Sequence, residues 1–185
     1  EASSIRDDVY RGLLGMPGVA QAANVTYLTM QVRHGARESR TMVVGFEQGQ
    51  PGEPGYLVAG RRLLRGHFEA IADVKTGFKL GERIRIRRHD YEVVGLTRRM
   101  VSSGGDPMVF IPLKDAQEAQ FLKDNDALWQ SRRRTAENPA FNRPGVPGLL
   151  DAVTASQSTN SFVNAVLVTL EPGRNPDEVA ELSLI

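Results

Sequence analysis

Two neighbouring stretches decide the fold class of this sequence: Leu80-Gly81-Glu82-Arg83-Ile84-Arg85-Ile86-Arg87 and Tyr91-Glu92-Val93-Val94-Gly95-Leu96. Apolar and charged residues alternate in the first stretch, so Ile84 and Ile86 are predicted to face a core while the arginines face water. The adjacent valines of the second stretch suit a strand that is covered on both faces. We therefore expect a β-hairpin, with its turn at His89-Asp90.

Strands and helices are predicted on both sides of this hairpin. Alternating and β-branched residues predict a further hairpin, whose first strand places Val25, Tyr27 and Thr29 on one face and Leu28, Met30 and Val32 on the other. Periodic apolar residues predict a first helix with a stripe through Ile5, Val9 and Leu13, and a later helix with Ala116 and Ala119 on its inner side. Asn175 is the predicted cap of the last helix. The result is an α+β fold, a mixed or antiparallel sheet with its helices on one side. The predicted strands cover residues 22–32, 41–46, 108–111 and 162–170, with short apolar stretches at 57–61 and 69–73, and the predicted helices cover 4–14, 115–124 and a segment that begins at Asn175-Pro176.

The pattern weakens between residues 125 and 160, where prolines and glycines interrupt any long element. We interpret this segment as an inserted lobe or mobile loop. The core domain is then expected to consist of residues 1–124 and 161–185.

Composition excludes several classes of function. The 185 residues include 23 basic and 22 acidic side chains, and this balance argues against a dedicated nucleic-acid binder. The sequence has no cysteine, which excludes disulfides, thiol catalysis and cysteine-ligated metals. It contains no apolar run of the ~20 residues that a membrane-spanning helix needs.

Both ends of the sequence interrupt expected features. It opens at Glu1 with neither the basic start nor the apolar segment of a signal peptide, and it stops at Ile185 inside a predicted helix. We expect the chain to be a segment of a longer protein.

No catalytic motif stands out. His34, His67 and His89 have no metal-ligand partner at suitable spacing, and His34 and His89 are expected to be solvated residues of hairpin turns. Residues 102–106, Ser-Ser-Gly-Gly-Asp, lack the Lys-Ser/Thr of a phosphate loop and are interpreted as a flexible connection. We expect no catalytic residues, no cofactor and no metal.

One basic segment is a candidate partner contact. Trp129 precedes Arg132, Arg133 and Arg134, and Trp and Arg are enriched at interface anchors. A solvated loop, with Trp129 buried, is the alternative. The pairs Arg61-Arg62 and Arg98-Arg99 are also interpreted as solvated.

Five motifs follow one another along the sequence: Met16-Pro17-Gly18-Val19-Ala20, Tyr56-Leu57-Val58-Ala59-Gly60-Arg61, Leu80 to Ile86, Tyr91 to Leu96, and Phe110-Ile111-Pro112-Leu113 with Asp115-Ala116-Gln117. Together they resemble the periplasmic core domain of MacB-type, FtsX-like ABC transporter permeases. Its fold signature is carried here by Gly60, Arg61, Gly81, Val93, Val94 and Gly95, and we expect Gly81 to permit a turn and Gly95 a bulge or a close backbone approach.

The resemblance implies a non-catalytic extracytoplasmic domain between the first two membrane helices of a permease. The implied partners are those membrane helices, a cytoplasmic ABC ATPase that hydrolyses ATP, a periplasmic adaptor or membrane-fusion protein, and a second copy in a dimeric transporter, with no nucleic acid. The implied location is the inner membrane, with this domain facing the periplasm or cell exterior. The alternatives are a free-standing periplasmic ligand-binding protein or enzyme, and an OB-like nucleic-acid binder. Because both chain ends must approach the membrane, the first and last helices are expected on the same side of the sheet.

Overall fold

A computed structural model of the chain describes residues 5–6, 8–121 and 162–182. The strands are β1 Ile5–Arg6, β2 Val19–His34, β3 Arg37–Phe46, β4 Ala59–Gly60, β5 Glu69–Asp73, β6 Arg83–Ile86, β7 His89–Thr97, β8 Met108–Pro112, β9 Phe162–Val163 and β10 Ala165–Leu170. The helices are α1 Val9–Leu14, α2 over residues 113–121, and α3 Pro176–Leu182, with a 3-10 turn at Val74–Thr76.

The main sheet of the described residues has the order β10-β2-β3-β8-β5-β7-β4, and β6 pairs with both β2 and β7. The pairs β3–β8 and β5–β7 are parallel, whereas the other pairs of this sheet are antiparallel. The prediction of an α+β fold with a mixed sheet is confirmed.

Strand β2 shows why the sheet is covered on both faces. Successive side chains of a strand point to opposite faces. Leu28 and Val32 accordingly enter one apolar cluster, which includes Ile84 and Ile86 of β6. Val25 enters a second cluster with Phe46 and Phe110, whose rings meet edge to face at 6.2 Å. The predicted two-sided alternation of β2 and the inward position of Ile84 and Ile86 are confirmed.

The three helices pack on one side of this sheet. Ala116 and Ala119 of α2 are buried in the cluster that contains Leu28, as predicted. Helices α1 and α3 share a third cluster, which contains Val179 of α3 and Ala22 of β2 and has Tyr10 and Leu13 of α1 packed against it. Ala22 and Leu28 are separated by an even number of residues and therefore lie on the same face of β2. The predicted shared side of the first and last helices is confirmed.

The first helix begins later than its periodicity predicts. Ile5 and Arg6 instead form β1 and pair with Val163 and Phe162 of β9. The helix proper starts at Val9, which is 44% exposed, so the predicted apolar stripe through Ile5 and Val9 is wrong. A strand partner from more than 150 residues away overrides the local helical pattern here.

The turn of the β6–β7 hairpin lies two residues earlier than predicted. Arg87 and Arg88 form it, with Arg87 in the left-handed region at φ 55°. His89 pairs with Ile86, and Asp90 pairs with Arg85. The prediction at His89-Asp90 is wrong because arginine is not a typical turn residue, whereas Asp is.

Asn164 separates the predicted last strand into β9 and β10. Its side chain accepts a hydrogen bond from the Tyr27 N–H at 2.7 Å and donates one to the Tyr27 carbonyl at 2.6 Å. Further along, Asn175 accepts a hydrogen bond from the Asp177 N–H at 3.1 Å, which confirms it as the predicted cap of α3.

In the described part of the chain, no helix is both long enough and apolar enough to cross a membrane. The predicted lobe at 125–160 lies outside the described residues.

Candidate interaction site

The six signature residues converge at one irregularity of β7. Ala70 of β5 pairs with Val93 while the next residue, Ile71, pairs with Gly95, so Val94 forms a β-bulge. The Arg61 N–H donates to the Val94 carbonyl at 2.9 Å, and the Gly81 N–H donates to the Val93 carbonyl at 2.8 Å. The bulge therefore offers its carbonyls to two segments that lie far apart in sequence, and the predicted bulge is confirmed.

Two glycines let the backbones meet at this bulge. A Cβ on Gly60, where φ is +78°, would lie 2.3 Å from the Val94 carbonyl oxygen. A Cβ on Gly95 would lie 2.5 Å from the Arg61 carbonyl oxygen. Since real Cβ atoms do not approach so closely, no residue with a side chain fits either position without a backbone shift. The predicted close backbone approach at Gly95 is confirmed.

Arg61 connects the bulge to a buried carboxylate. Its guanidinium lies 2.7 Å from Oε1 of Glu69, whose side chain is only 1% exposed. Glu69 Oε2 also accepts hydrogen bonds from the backbone N–H groups of Leu64, at 2.8 Å, and Arg65, at 3.1 Å. The hydrogen bond from Arg61, assisted by these two donors, lowers the pKa of Glu69 from 4.5 to about 2. The carboxylate thus holds a loop of residues 61–68, the braced loop, against the sheet.

A second carboxylate fixes the far end of the braced loop. Asp115 of α2 is 2% exposed, and it accepts a hydrogen bond from the Phe68 N–H at 3.0 Å. His67 Nδ1 lies 2.5 Å from the other carboxylate oxygen. Phe68 has φ 60°, a conformation that is unusual for a large side chain. The hydrogen bond to Asp115 stabilises this backbone conformation of Phe68.

The Phe68 ring packs among three other rings. Its centroid lies 5.7 Å from that of His67, 5.0 Å from His89 and 5.8 Å from Tyr91. His89 Nε2 is itself 3.2 Å from a carboxylate oxygen of Glu118 on α2. Burial, together with the neighbouring Asp115 charge, raises the pKa of Tyr91. The loop end is therefore tied to α2 through aromatic and charged contacts.

The other end of β5 carries a matching acidic residue. Asp73 is fully buried and accepts hydrogen bonds from the backbone N–H groups of Lys75 and Met100, and from the Thr97 hydroxyl. All five residues of β5 are buried, and its first and last residues are acidic. Glu69 and Asp73 therefore each anchor a loop by hydrogen bonds, at opposite ends of this strand.

The braced loop exposes an apolar side chain among positive ones. Leu64 is 74% exposed, and the Arg62 and Arg65 side chains are 66% and 76% exposed. Because the buried Glu69 carboxylate holds the backbone N–H groups of Leu64 and Arg65, less backbone entropy is lost when a partner binds the loop. This arrangement can bind a partner, but it presents no nucleophile beside a base.

Several sequence interpretations need correction here. Arg61 is not merely solvated, because it pairs with Glu69. His34 is not a free turn residue: its Nδ1 lies 2.7 Å from the Arg83 carbonyl oxygen, and His67 and His89 have the carboxylate partners described above. Each partner comes from a segment distant in sequence, so spacing along the chain gave no signal of it.

The Ser-Ser-Gly-Gly-Asp segment closes on itself. The Ser102 N–H donates to the Asp106 carbonyl at 2.8 Å, and the Asp106 N–H donates to the Ser102 hydroxyl at 3.1 Å. Lys75 further donates to the Gly105 carbonyl at 2.9 Å. The segment is a connection between strands, as predicted, and these hydrogen bonds restrain its backbone.

Among residues 5–6, 8–121 and 162–182, no three His, Asp or Glu side chains come together as metal ligands. The predicted contact residues Trp129, Arg132, Arg133 and Arg134 lie outside the described residues.

The family model of the MacB-like periplasmic core domain matches residues 1–182 of this sequence. The chain belongs to that family. It is thus a periplasmic or extracellular domain of an ABC transporter permease, and its family is not known as a catalytic one. Membrane helices and an ATPase are the partners that membership implies. A search of curated protein sequences finds no match.

Solved structures share the fold. The extracellular domain of the noncanonical ABC-type transporter YknZ from Gram-positive bacteria superposes with a TM-score of 0.56 at 16% identity, covering 98% of this chain and 79% of that one. The periplasmic region of MacB from Actinobacillus actinomycetemcomitans gives a TM-score of 0.57 at 14% identity, covering 97% and 71%.

Proposed function

We propose that this domain couples movement of the permease's membrane helices to the handling of a substrate or periplasmic partner, without catalysis of its own. ATP hydrolysis would occur in a separate cytoplasmic nucleotide-binding domain or subunit. The full transporter would lie in the inner membrane as a dimer and would meet a periplasmic adaptor or membrane-fusion protein. Family membership favours this proposal over a free-standing binding protein or enzyme.

The observation that carries the proposal is the shared cluster of α1 and α3. Both helices pack on Val19 and Ala22, at one end of β2. Strand β2 is 16 residues long and spans roughly 50 Å at the usual rise per residue. It begins at Val19, in this cluster, and ends at His34, next to the hairpin tip at Ala36. If membrane helices adjoin both ends of the domain, as the resemblance implies, their displacement would reach this cluster first and then move the whole sheet.

Inserting three glycines after Gly173 should interrupt this coupling. Gly173 lies between β10 and α3, has φ +83°, and has open space around it, so the insertion loosens α3 without a clash. In the full transporter, a spin label on A36C should move on ATP binding, and the insertion should reduce this displacement at least several-fold. The domain itself has no other cysteine to react.

The matched control is the same insertion after Gly49. That glycine also has a positive φ, +72°, and open space, but it lies in the loop after β3, away from α1 and α3. Its displacement should match that of the unmodified transporter. An undiminished displacement after the Gly173 insertion, in a domain that still melts cooperatively, would refute coupling through α3.

The segment of Trp129, Arg132, Arg133 and Arg134 remains our proposed contact for an adaptor or substrate. Alanine at all four positions is expected to leave the melting temperature of the domain nearly unchanged and to impair transport by the intact system. Unfolding of the domain would instead assign Trp129 to a core, and unchanged transport would eliminate the segment as a contact.

A further inference from the structure

An open cavity of about 640 Å³ lies between β2 and the β6–β7 hairpin. Four arginines line it, together with two polar side chains and one methionine. They are Arg33, Arg85, Arg87, Arg88, Thr29, Gln31 and Met30. Its volume falls in the usual range of small-molecule sites.

The four arginines lie close together although their positive charges repel one another. Arg33 and Arg85 are directly paired across the antiparallel strands β2 and β6. Like charges in such a position are destabilising, because their Cβ atoms are only about 5 Å apart. A protein retains an arrangement of this kind most readily where an anion offsets it.

The nearby carboxylates compensate only part of this charge. Arg33 lies 2.5 Å from Glu38, and Arg85 lies 3.0 Å from Asp90. Arg87 and Arg88 contact no carboxylate in the part of the chain that the structure describes. Among the residues that the structure describes, two of the four positive charges around the cavity are therefore without a carboxylate partner.

The turn geometry supports a role for these two arginines. Arg87 occupies the left-handed region at φ 55°, where a long side chain is disfavoured relative to glycine or asparagine. Both side chains are exposed, so packing into the core does not explain their presence. Strained backbone conformations cluster at ligand-binding and active sites, and Arg87 combines such a conformation with a place in the cavity lining.

We propose that this cavity binds the phosphate group of a phosphate-bearing ligand. A phosphate monoester carries about −1.5 to −2 charge at neutral pH, which matches the two free guanidinium charges, whereas a single carboxylate supplies only −1. Guanidinium groups bind phosphate oxygens in bidentate fashion. Thr29 and Gln31 add neutral donors, and Met30 offers an apolar contact for the body of the ligand. This proposal is independent of the coupling function.

Calorimetric titration of the 185-residue chain with glycerol phosphate and inorganic phosphate tests the site. Both probes should bind, and the double substitution R87Q/R88Q should weaken their binding at least tenfold because it removes two charged donors. The matched control is R98Q/R99Q, which removes the same charge from an exposed pair outside the cavity whose Arg99 also has a positive φ, 62°. Its affinities should stay within twofold.

Two further probes separate the possible sources of the phosphate. Vesicles of phosphatidylcholine that contain phosphatidic acid, a phosphate monoester, would assign the site to a lipid headgroup if they bind the chain in an Arg87- and Arg88-dependent way. Binding of glycerol phosphate without vesicle binding would assign it to a soluble ester. The proposal is overturned if neither soluble phosphate probe nor vesicles bind, if R87Q/R88Q binds them as well as the control, or if acetate or an oligoglutamate peptide binds as tightly.

Discussion

Replacing Glu69 by glutamine is expected to lower the free energy of unfolding by about 2–3 kcal/mol, as measured by urea denaturation at neutral pH. Glutamine has the same shape, but its amide nitrogen would face donors that now meet a carboxylate oxygen. Breaking a fully buried charge pair costs about 3–5 kcal/mol, and the cost is smaller here because Arg61 is 44% exposed and can turn to water. Glu92→Gln is the matched control. Glu92 is the exposed register partner of Glu69 on β7, so its replacement should cost less than about 0.5 kcal/mol.

The stabilisation by Glu69 should also depend on pH. Its pKa is about 2 in the folded chain and has its ordinary value of 4.5 in the unfolded one, so the unfolded chain binds the proton more tightly. The contribution is therefore complete above about pH 5 and is lost as the pH falls from 4.5 towards 2. The stability difference between the original chain and E69Q should shrink over that window. A constant difference from pH 6 to pH 2.5 would show that Glu69 stabilises the fold by packing alone.

Gly60→Ala is expected to destabilise the domain by about 3–4 kcal/mol. An alanine at position 60 would have to keep the left-handed backbone conformation, at a cost of about 1–2 kcal/mol. Its methyl group would also lie 2.3 Å from the Val94 carbonyl oxygen, and relieving that contact costs about 1–3 kcal/mol. The backbones of β4 and β7 cannot easily move apart here, because Gly60 and Gly95 are paired between these strands.

Gly77→Ala separates the two costs. Gly77 has nearly the same φ, +79°, but nothing lies within 4 Å of the position of its Cβ. Gly77→Ala should therefore lower the free energy of unfolding by only about 1 kcal/mol, which is the conformational cost alone. Equal losses for the two variants, measured by chemical denaturation, would mean that the bulge moves aside and does not require glycine at position 60.

The sequence predicts those elements of this fold whose pattern is local. Alternation identifies β6 correctly because Ile84 and Ile86 are buried while Arg83 and Arg85 are exposed. The paired valines of β7 are likewise both buried, as a strand covered on two faces requires. The bulge at Val94 is predicted from Gly95, the next residue, which is also a local signal.

The errors arise where a distant segment decides the outcome. Ile5 and Arg6 follow a helical pattern but pair with β9, which lies far along the chain. The bracing of the loop by Glu69 is not visible in the sequence either, because an isolated glutamate at the start of a strand is usually solvated. Recognising its role requires knowledge that the backbone N–H groups of Leu64 and Arg65 turn towards it.

The position of β10 next to β2 has a consequence for folding during synthesis. Val25 of β2 pairs with Ala165, so one edge of β2 cannot be completed until the ribosome has made most of the chain. At 5–20 residues per second, synthesis of the chain from Val25 to Ala165 takes roughly 7–28 s, and the edge stays open for at least that long. An open edge strand readily pairs with other chains. Because the domain lies outside the cytoplasm, we expect an extracytoplasmic chaperone to protect this edge while the chain is translocated. We also expect the isolated domain to fold slowly, because many of its contacts join residues that are distant in sequence.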